Sequence, residues 1–196
     1  MNLARIKLIA QLIIALCKVQ SVYFEKLLLA FEPYAQSGSN LRRIQRFMAD
    51  YMLDCNLIVW MIFKLLPYEP PYVLMKDRTN WKFGQTNINI LVIAIAYDCL
   101  AFPLIYRLMP QRGNSSTSEI IGLIDRYIHL FGKEIIAELF ADREFVEEEW
   151  IAYLNRKSIA YHLRIRNNFG VFDPRKQKRL KVHGSFILYN LEILNL

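Results

Sequence analysis

Two carboxylates stand out by position, Asp77 and Asp142. Each closes an apolar, strand-like segment and each is followed at once by arginine, as Asp77-Arg78 and Asp142-Arg143. In open α/β sheets, ligands gather at the carboxyl ends of strands. If the two strands are neighbours, both carboxylates reach one edge and could hold Mg²⁺ or Mn²⁺, because hard divalent ions take oxygen ligands. A metal pair about 3.5–4 Å apart can clamp the attacking and leaving oxygens of a phosphoryl displacement. Such a site wants a third acid. Glu144 lies two residues past Asp142, Glu147-Glu148-Glu149 form a run that suits a solvated helix start, and Glu192 sits in the tail. Spacing also allows a plainer reading, in which each Asp is a turn residue paired to its own Arg.

Basic residues supply the second candidate chemistry. Arg42, Arg43 and Arg46 share a short helical segment, and Arg42 and Arg46 stand four apart on one face. Further on, Arg164, Arg166, Arg175, Lys176, Lys178 and Arg179 interleave with Phe169 and Phe172. The formal charge of +7 is concentrated there: residues 156–186 hold nine cations and one acid, Asp173, which leaves the rest near neutral. Such stretches can neutralise phosphates, with a salt-dependent affinity, or can simply be solvated charge. No glycine-rich phosphate loop, H-E-x-x-H or G-x-S-x-G is present, and His129, His162 and His183 are unpaired in sequence.

The elements that must position these residues follow from periodicity. Leu8, Leu12, Ile13, Leu16 and Val19 recur at helical spacing, and Tyr23, Leu27 and Leu28 continue the face. Residues 41–47 form a second helical pattern, capped by Ser39 or Asn40, and residues 54–66 a third, stopped by Pro67. After Pro71 the pattern changes to strands at 72–76, 87–97 and 102–109, the second reading as buried on both faces. Ser116-x-x-Glu119 is a capping box for a helix that Gly132 ends. A fourth strand (135–141), a helix from the Glu147 run and a fifth strand (160–166) complete an α/β sheet with helical cover.

With 54% apolar residues, 7 Gly and 7 Pro, the composition excludes a disordered or collagenous chain. Cys17, Cys55 and Cys99 are widely spaced, which fits neither a disulfide framework nor a zinc site and reads as three buried small side chains in a reducing compartment. The longest apolar runs, 57–63 and 90–97, fall short of the ~20 residues of a membrane span. A soluble, cytoplasmic protein with no membrane partner is expected.

Asp77-Arg78-Thr79-Asn80-Trp81-Lys82-Phe83-Gly84, followed by Asn87-Ile88-Asn89-Ile90-Leu91, closely resembles bacterial transposases of the insertion-sequence-four family. Further blocks match in the same order: Ala101-Phe102-Pro103-Leu104, Arg112-Gly113-Asn114-Ser115, Ala141-Asp142-Arg143-Glu144-Phe145 and Ile165-Arg166-Asn167-Asn168-Phe169. Upstream, residues 41–47 resemble the family's N-terminal helical region, so the resemblance spans about residues 10–182. It implies a ribonuclease-H-like mixed sheet with covering helices, preceded by an N-terminal helical region. Its expected boundaries are 1–70 for that DNA-binding helical region, 71–166 for an incomplete catalytic core, and 167–196 for the start of a β-rich insertion with an aberrant tail.

By the same resemblance, Asp77 and Asp142 are the first two acids of a metal-binding catalytic triad. The activity implied is DNA transposition: metal-dependent cleavage and strand transfer at the terminal inverted repeats of a mobile element. The implied cofactor is a pair of Mg²⁺ or Mn²⁺ ions. The implied partners are terminal-repeat DNA, target DNA and a second copy of the chain, in a bacterial, nucleoid-associated setting. The family's third acid sits in a Y-x₂-R-x₃-E-x₆-K signature that this sequence lacks. The expectation is therefore a C-terminally truncated chain, inactive alone, with a non-catalytic DNA-binding protein or an inhibitor of the intact enzyme as the alternative. Smaller departures are Lys76 before the first Asp, Cys99 where glycine is common, and Glu147 where relatives often carry glycine.

Overall fold

A computed structural model describes residues 2–31, 37–109, 115–142, 147–164, 170–173, 178–181 and 187–189. The chain divides into two compact units, Met1–Cys55 and Asn56–Leu196. No helix among the described residues is long and apolar enough to cross a membrane.

The first unit is helical. Helix α1 (Leu3–Val19) starts at Asn2, whose side chain accepts the Ala4 N–H, and ends at Gln20, which turns left-handed at φ 48°. The continuous face read through Leu28 is thereby split, and α2 (Phe24–Leu28) is a separate short helix. Helix α3 (Ser37–Asp50) begins before Ser39 and Asn40, so these residues lie inside the helix rather than capping it. Leu8, Leu12, Ala15, Leu27, Ile44 and Phe47 form the unit's core.

The second unit takes all of α4 (Cys55–Lys64) but its first residue and is built on a six-stranded sheet. Its strands are β1 (Tyr72–Phe83), β2 (Thr86–Tyr97), β3 (Leu100–Met109), β4 (Ile136–Ala141), β5 (Tyr161–Arg164) and β8 (Ile187–Tyr189). The order is β3-β2-β1-β4-β5-β8. Strands β1, β2 and β3 form an antiparallel meander, β4 and β5 run parallel to β1, and β8 is antiparallel at the edge. This arrangement is ribonuclease-H-like. A separate hairpin pairs β6 (Gly170–Asp173) with β7 (Lys178–Lys181).

Two helices cover one face. Helix α5 (Thr117–Phe131) carries the capping box of Ser116 and Glu119 and stops at Gly132, at φ 88°. Helix α6 (Glu148–Lys157) starts at Glu147, whose carboxylate accepts a hydrogen bond from the Thr117 hydroxyl. That contact joins the starts of α5 and α6. Beneath the helices, Leu74, Leu91, Ile93, Leu139, Tyr161, Leu163 and Trp150 are all fully buried.

Strand periodicity explains the other face. Alternate residues of β2 (Leu91, Ile93, Ile95) are fully buried; on the opposite face Ala94 is buried too, at 6% exposure, with Val92 and Ala96 half-buried on either side of it. The expected burial on both faces therefore holds at the centre of the strand, Ile93-Ala94-Ile95, and is partial toward its ends. The cysteines also differ from expectation, since Cys17, Cys55 and Cys99 are all exposed and free.

Candidate active site

The first strand outruns its apolar segment. Residues 77–83 continue β1 because β2 supplies hydrogen-bonding partners the whole way, from Asp77↔Val92 to Phe83↔Thr86, around Gly84 at φ 60°. Asp77 therefore lies in mid-strand, not at a strand end. The β1–β4 ladder is shorter and runs through Lys76↔Ala141. Asp77 and Asp142 are the next residues along the two chains from that last pair, at the carboxyl end of the parallel ladder. Side chains alternate between faces. Leu74, Lys76, Leu139 and Ala141 turn toward the helices and are buried, whereas Asp77 and Asp142 are exposed. Neighbouring strands lie about 4.8 Å apart, short enough for carboxylates at adjacent positions on one face to share a cation.

Each carboxylate has a local partner. Asp77 Oδ1 accepts the Arg78 backbone N–H at 2.7 Å. Asp142 Oδ1 lies 3.9 Å from Arg164 Nη1, an arginine on β5 rather than the adjacent one in sequence. With both side chains about half exposed, that ion pair contributes about 0–1 kcal/mol and can be exchanged. Arg143 and Glu144 lie outside the described residues, as does Glu192. Among the described residues no group of three or more His, Cys, Asp or Glu side chains could hold a metal ion. As a donor set, two exposed carboxylates fit one hard divalent ion, with water completing its shell.

The sheet also brings together residues that sequence spacing kept apart. On the carboxylate face, His162 Nε2 lies 2.7 Å from Glu138 Oε2, and its ring stacks on Phe140 with centroids 4.4 Å apart. The register Phe140↔His162 accounts for this, since the two positions are side by side on parallel strands. On the helix-covered face, Lys76 is 3% exposed and its ammonium stands 5.5 Å from the centre of the Trp150 ring. Tyr153 donates to Asp125 at 2.7 Å, and Lys157 Nζ lies 3.4 Å from the same carboxylate oxygen. Burial, reinforced by the Asp125 hydrogen bond, pushes the Tyr153 phenol well above its ordinary value. Burial does the same to Tyr127, with Tyr72 and Tyr68 adding to it.

The basic candidates divide between the units. In the first, Arg42, Arg43 and Arg46 line a concavity of about 710 Å³ with Gly38 and Ser39 at the start of α3. Arg43 also donates to the Ala4 carbonyl at 3.3 Å, which ties α3 to α1. In the second, Arg164 belongs to the carboxylate rim. Lys178 and Arg179 fall in β7, and Arg166, Arg175 and Lys176 lie outside the described residues.

No family model matches the sequence, and no curated protein matches it. Solved structures do. The HTLV-2 integrase catalytic core domain, in a dimeric form in complex with magnesium, is 15% identical, with a TM-score of 0.37 over 50% of this chain and 63% of that one. A chain of the simian T-cell lymphotropic virus intasome, in complex with PP2A regulatory subunit B56 gamma, is also 15% identical. Its TM-score is 0.39 over 56% of this chain and 35% of that one. The chain thus spans less than two thirds of the length of either.

Proposed function

We propose that the chain is a DNA transposase of the insertion-sequence-four kind, or a substantial part of one, acting on phosphodiesters through Asp77 and Asp142. The observation that carries this reading is the parallel β1–β4 register, which ends at Lys76↔Ala141 and leaves the two aspartates next in line on the exposed face. The ordered sequence blocks around Asp77, Asp142 and Phe169 support the same reading.

Asp77 and Asp142 would hold Mg²⁺ or Mn²⁺. A divalent ion there supplies positive charge to the oxygens of a phosphoryl displacement. The chain's own residues contribute position and charge. Asp77 accepts the Arg78 N–H, and Arg164, 3.9 Å from Asp142, would be able to pair with a substrate phosphate if a divalent ion took that carboxylate. Arg42, Arg43 and Arg46 give the helical unit a cationic hollow suited to backbone phosphates of terminal-repeat or target DNA. Lys178 and Arg179, with Arg166, Arg175 and Lys176, extend the basic segment that would follow the same DNA. Two carboxylates hold a divalent ion less tightly than three, so with only Asp77 and Asp142 brought together among the described residues, strand transfer by the isolated chain would be weak.

Metal titration of the purified chain tests the reading. Wild type binds Mn²⁺, and Asp77→Ala and Asp142→Ala each abolish binding while leaving DNA affinity equal or higher. Binding of Mn²⁺ that survives both substitutions would overturn it. The cationic hollow favours one second reading, a non-catalytic DNA-binding protein or inhibitor of an intact transposase, for which DNA binding is wholly independent of metal.

A further inference from the structure

The β1–β2 arm carries a tryptophan that the fold does not use. Trp60 packs edge-on against Phe63 and Phe131, and Trp150 is fully buried and stacked on Tyr153. Trp81 is 60% exposed and stacks on no described ring. An indole left in water forgoes a large apolar burial, so its place on the arm calls for a partner.

Its position is set by strand alternation. Asp77, Thr79 and Trp81 share one face of β1, opposite Val92, Ile90 and Ile88 on β2. Trp81 therefore sits on the same side of the sheet as the two carboxylates, about 13 Å further along the strand at about 3.3 Å per residue. At about 3.4 Å per stacked nucleotide, that is roughly four nucleotides from a phosphate at the carboxylates. The charge on the arm is of one sign. Residues 78–97 contain Arg78 and Lys82 and no acid, and Arg107 on β3 lies in the same cross-strand row as Leu91 and Arg78. By strand alternation these cations stand on the face opposite the indole, so they contribute to the arm's net charge rather than to a direct contact with the ring.

We propose that Trp81 is a stacking platform for an unpaired base of the DNA whose phosphate lies at Asp77 and Asp142. Aromatic rings on a segment of net positive charge can bind single-stranded nucleic acid because every base has a π-face, whatever the sequence. A fully paired duplex offers that face only at its end. The arm thus selects DNA with unpaired nucleotides beside the scissile bond. This rests on the polynucleotide reading above and adds the form of the substrate.

The test compares two probes in EDTA, so that no metal is needed. One is a duplex of about 20 base pairs with a 3′ overhang of about four nucleotides carrying 2-aminopurine, and the other is the same duplex blunt. Wild-type full chain is expected to bind the overhang on the order of 10-fold more tightly, with quenched 2-aminopurine fluorescence. Trp81→Ala should lower overhang affinity to the blunt level and abolish quenching without changing blunt-duplex affinity. Trp81→Phe, which keeps a ring and the strand pairing, should retain most of both. Equal wild-type affinity for the probes, or a preference and quenching that survive Trp81→Ala, overturns the platform alone. Binding to neither probe overturns the polynucleotide reading and the platform with it.

Discussion

The two faces of the central sheet differ by a single residue of register and do opposite work. Under α5 and α6, Leu74, Leu139, Tyr161 and Leu163 are completely removed from water. On the other face, Met75 is 41% exposed, Tyr106 51% and Leu108 61%, and both aspartates reach solvent. Apolar area buried on one side supplies the stability that lets the other side carry charge. Period-two alternation alone makes this division, because a strand cannot place consecutive side chains on one face.

The largest way to probe that contrast is Trp150→Ala. It removes a fully buried ring from beneath α6 and is expected to cost about 3–5 kcal/mol, read as a fall in the urea midpoint. Next is the turn between β2 and β3. Asp98 and Cys99 both have positive φ, at 47° and 61°, a conformation that favours Asn-Gly or Asp-Gly. Cys99→Gly is expected to raise stability by about 1 kcal/mol in the same assay.

Tyr153 gives a smaller, pH-dependent effect. Its folded pKa lies above the ordinary tyrosine value of about 10, so the unfolded chain ionises first as pH rises. The stabilising contribution is complete below about pH 10 and is lost as pH climbs through the folded value. Tyr153→Phe should cost about 1 kcal/mol near pH 8, from the lost Asp125 hydrogen bond, and narrow toward wild type above pH 10 in paired denaturation curves. Smallest of all is the exposed face. Asp77→Ala and Asp142→Ala should each change stability by no more than about 0.5 kcal/mol, measured without metal. A larger loss at either position would mean that these carboxylates hold the fold together.

Much of the second unit could be read from residue pattern because its signals are local. Ser116 and Glu119 cap α5, Gly132 ends it, and the apolar run at 87–97 becomes β2 nearly residue for residue. Local signals failed where pairing decided the outcome. Arg78–Phe83 is polar enough to look like a loop, yet β2 holds it as strand. His162 looked unpaired because its partner, Glu138, is 24 residues away and becomes a neighbour only through the β4–β5 register. Cys99 read as a core residue because its type was weighed without its turn, whose left-handed backbone sets it in solvent. The adjacency of Asp77 and Asp142 required knowing that β1 and β4 are partners, which no spacing of 65 residues can state.

Beyond Lys76, β1 has a ladder partner on one side only among the described residues. Its other edge, where the Arg78 N–H already donates to the Asp77 carboxylate, is the kind of border that invites another chain to add a strand. Arg78 and Lys82 both belong to this stretch of β1, so two identical arms meeting antiparallel would bring like charges near each other. Self-templated sheet growth is thereby disfavoured by simple repulsion, and a polyanion gains what a twin copy forfeits.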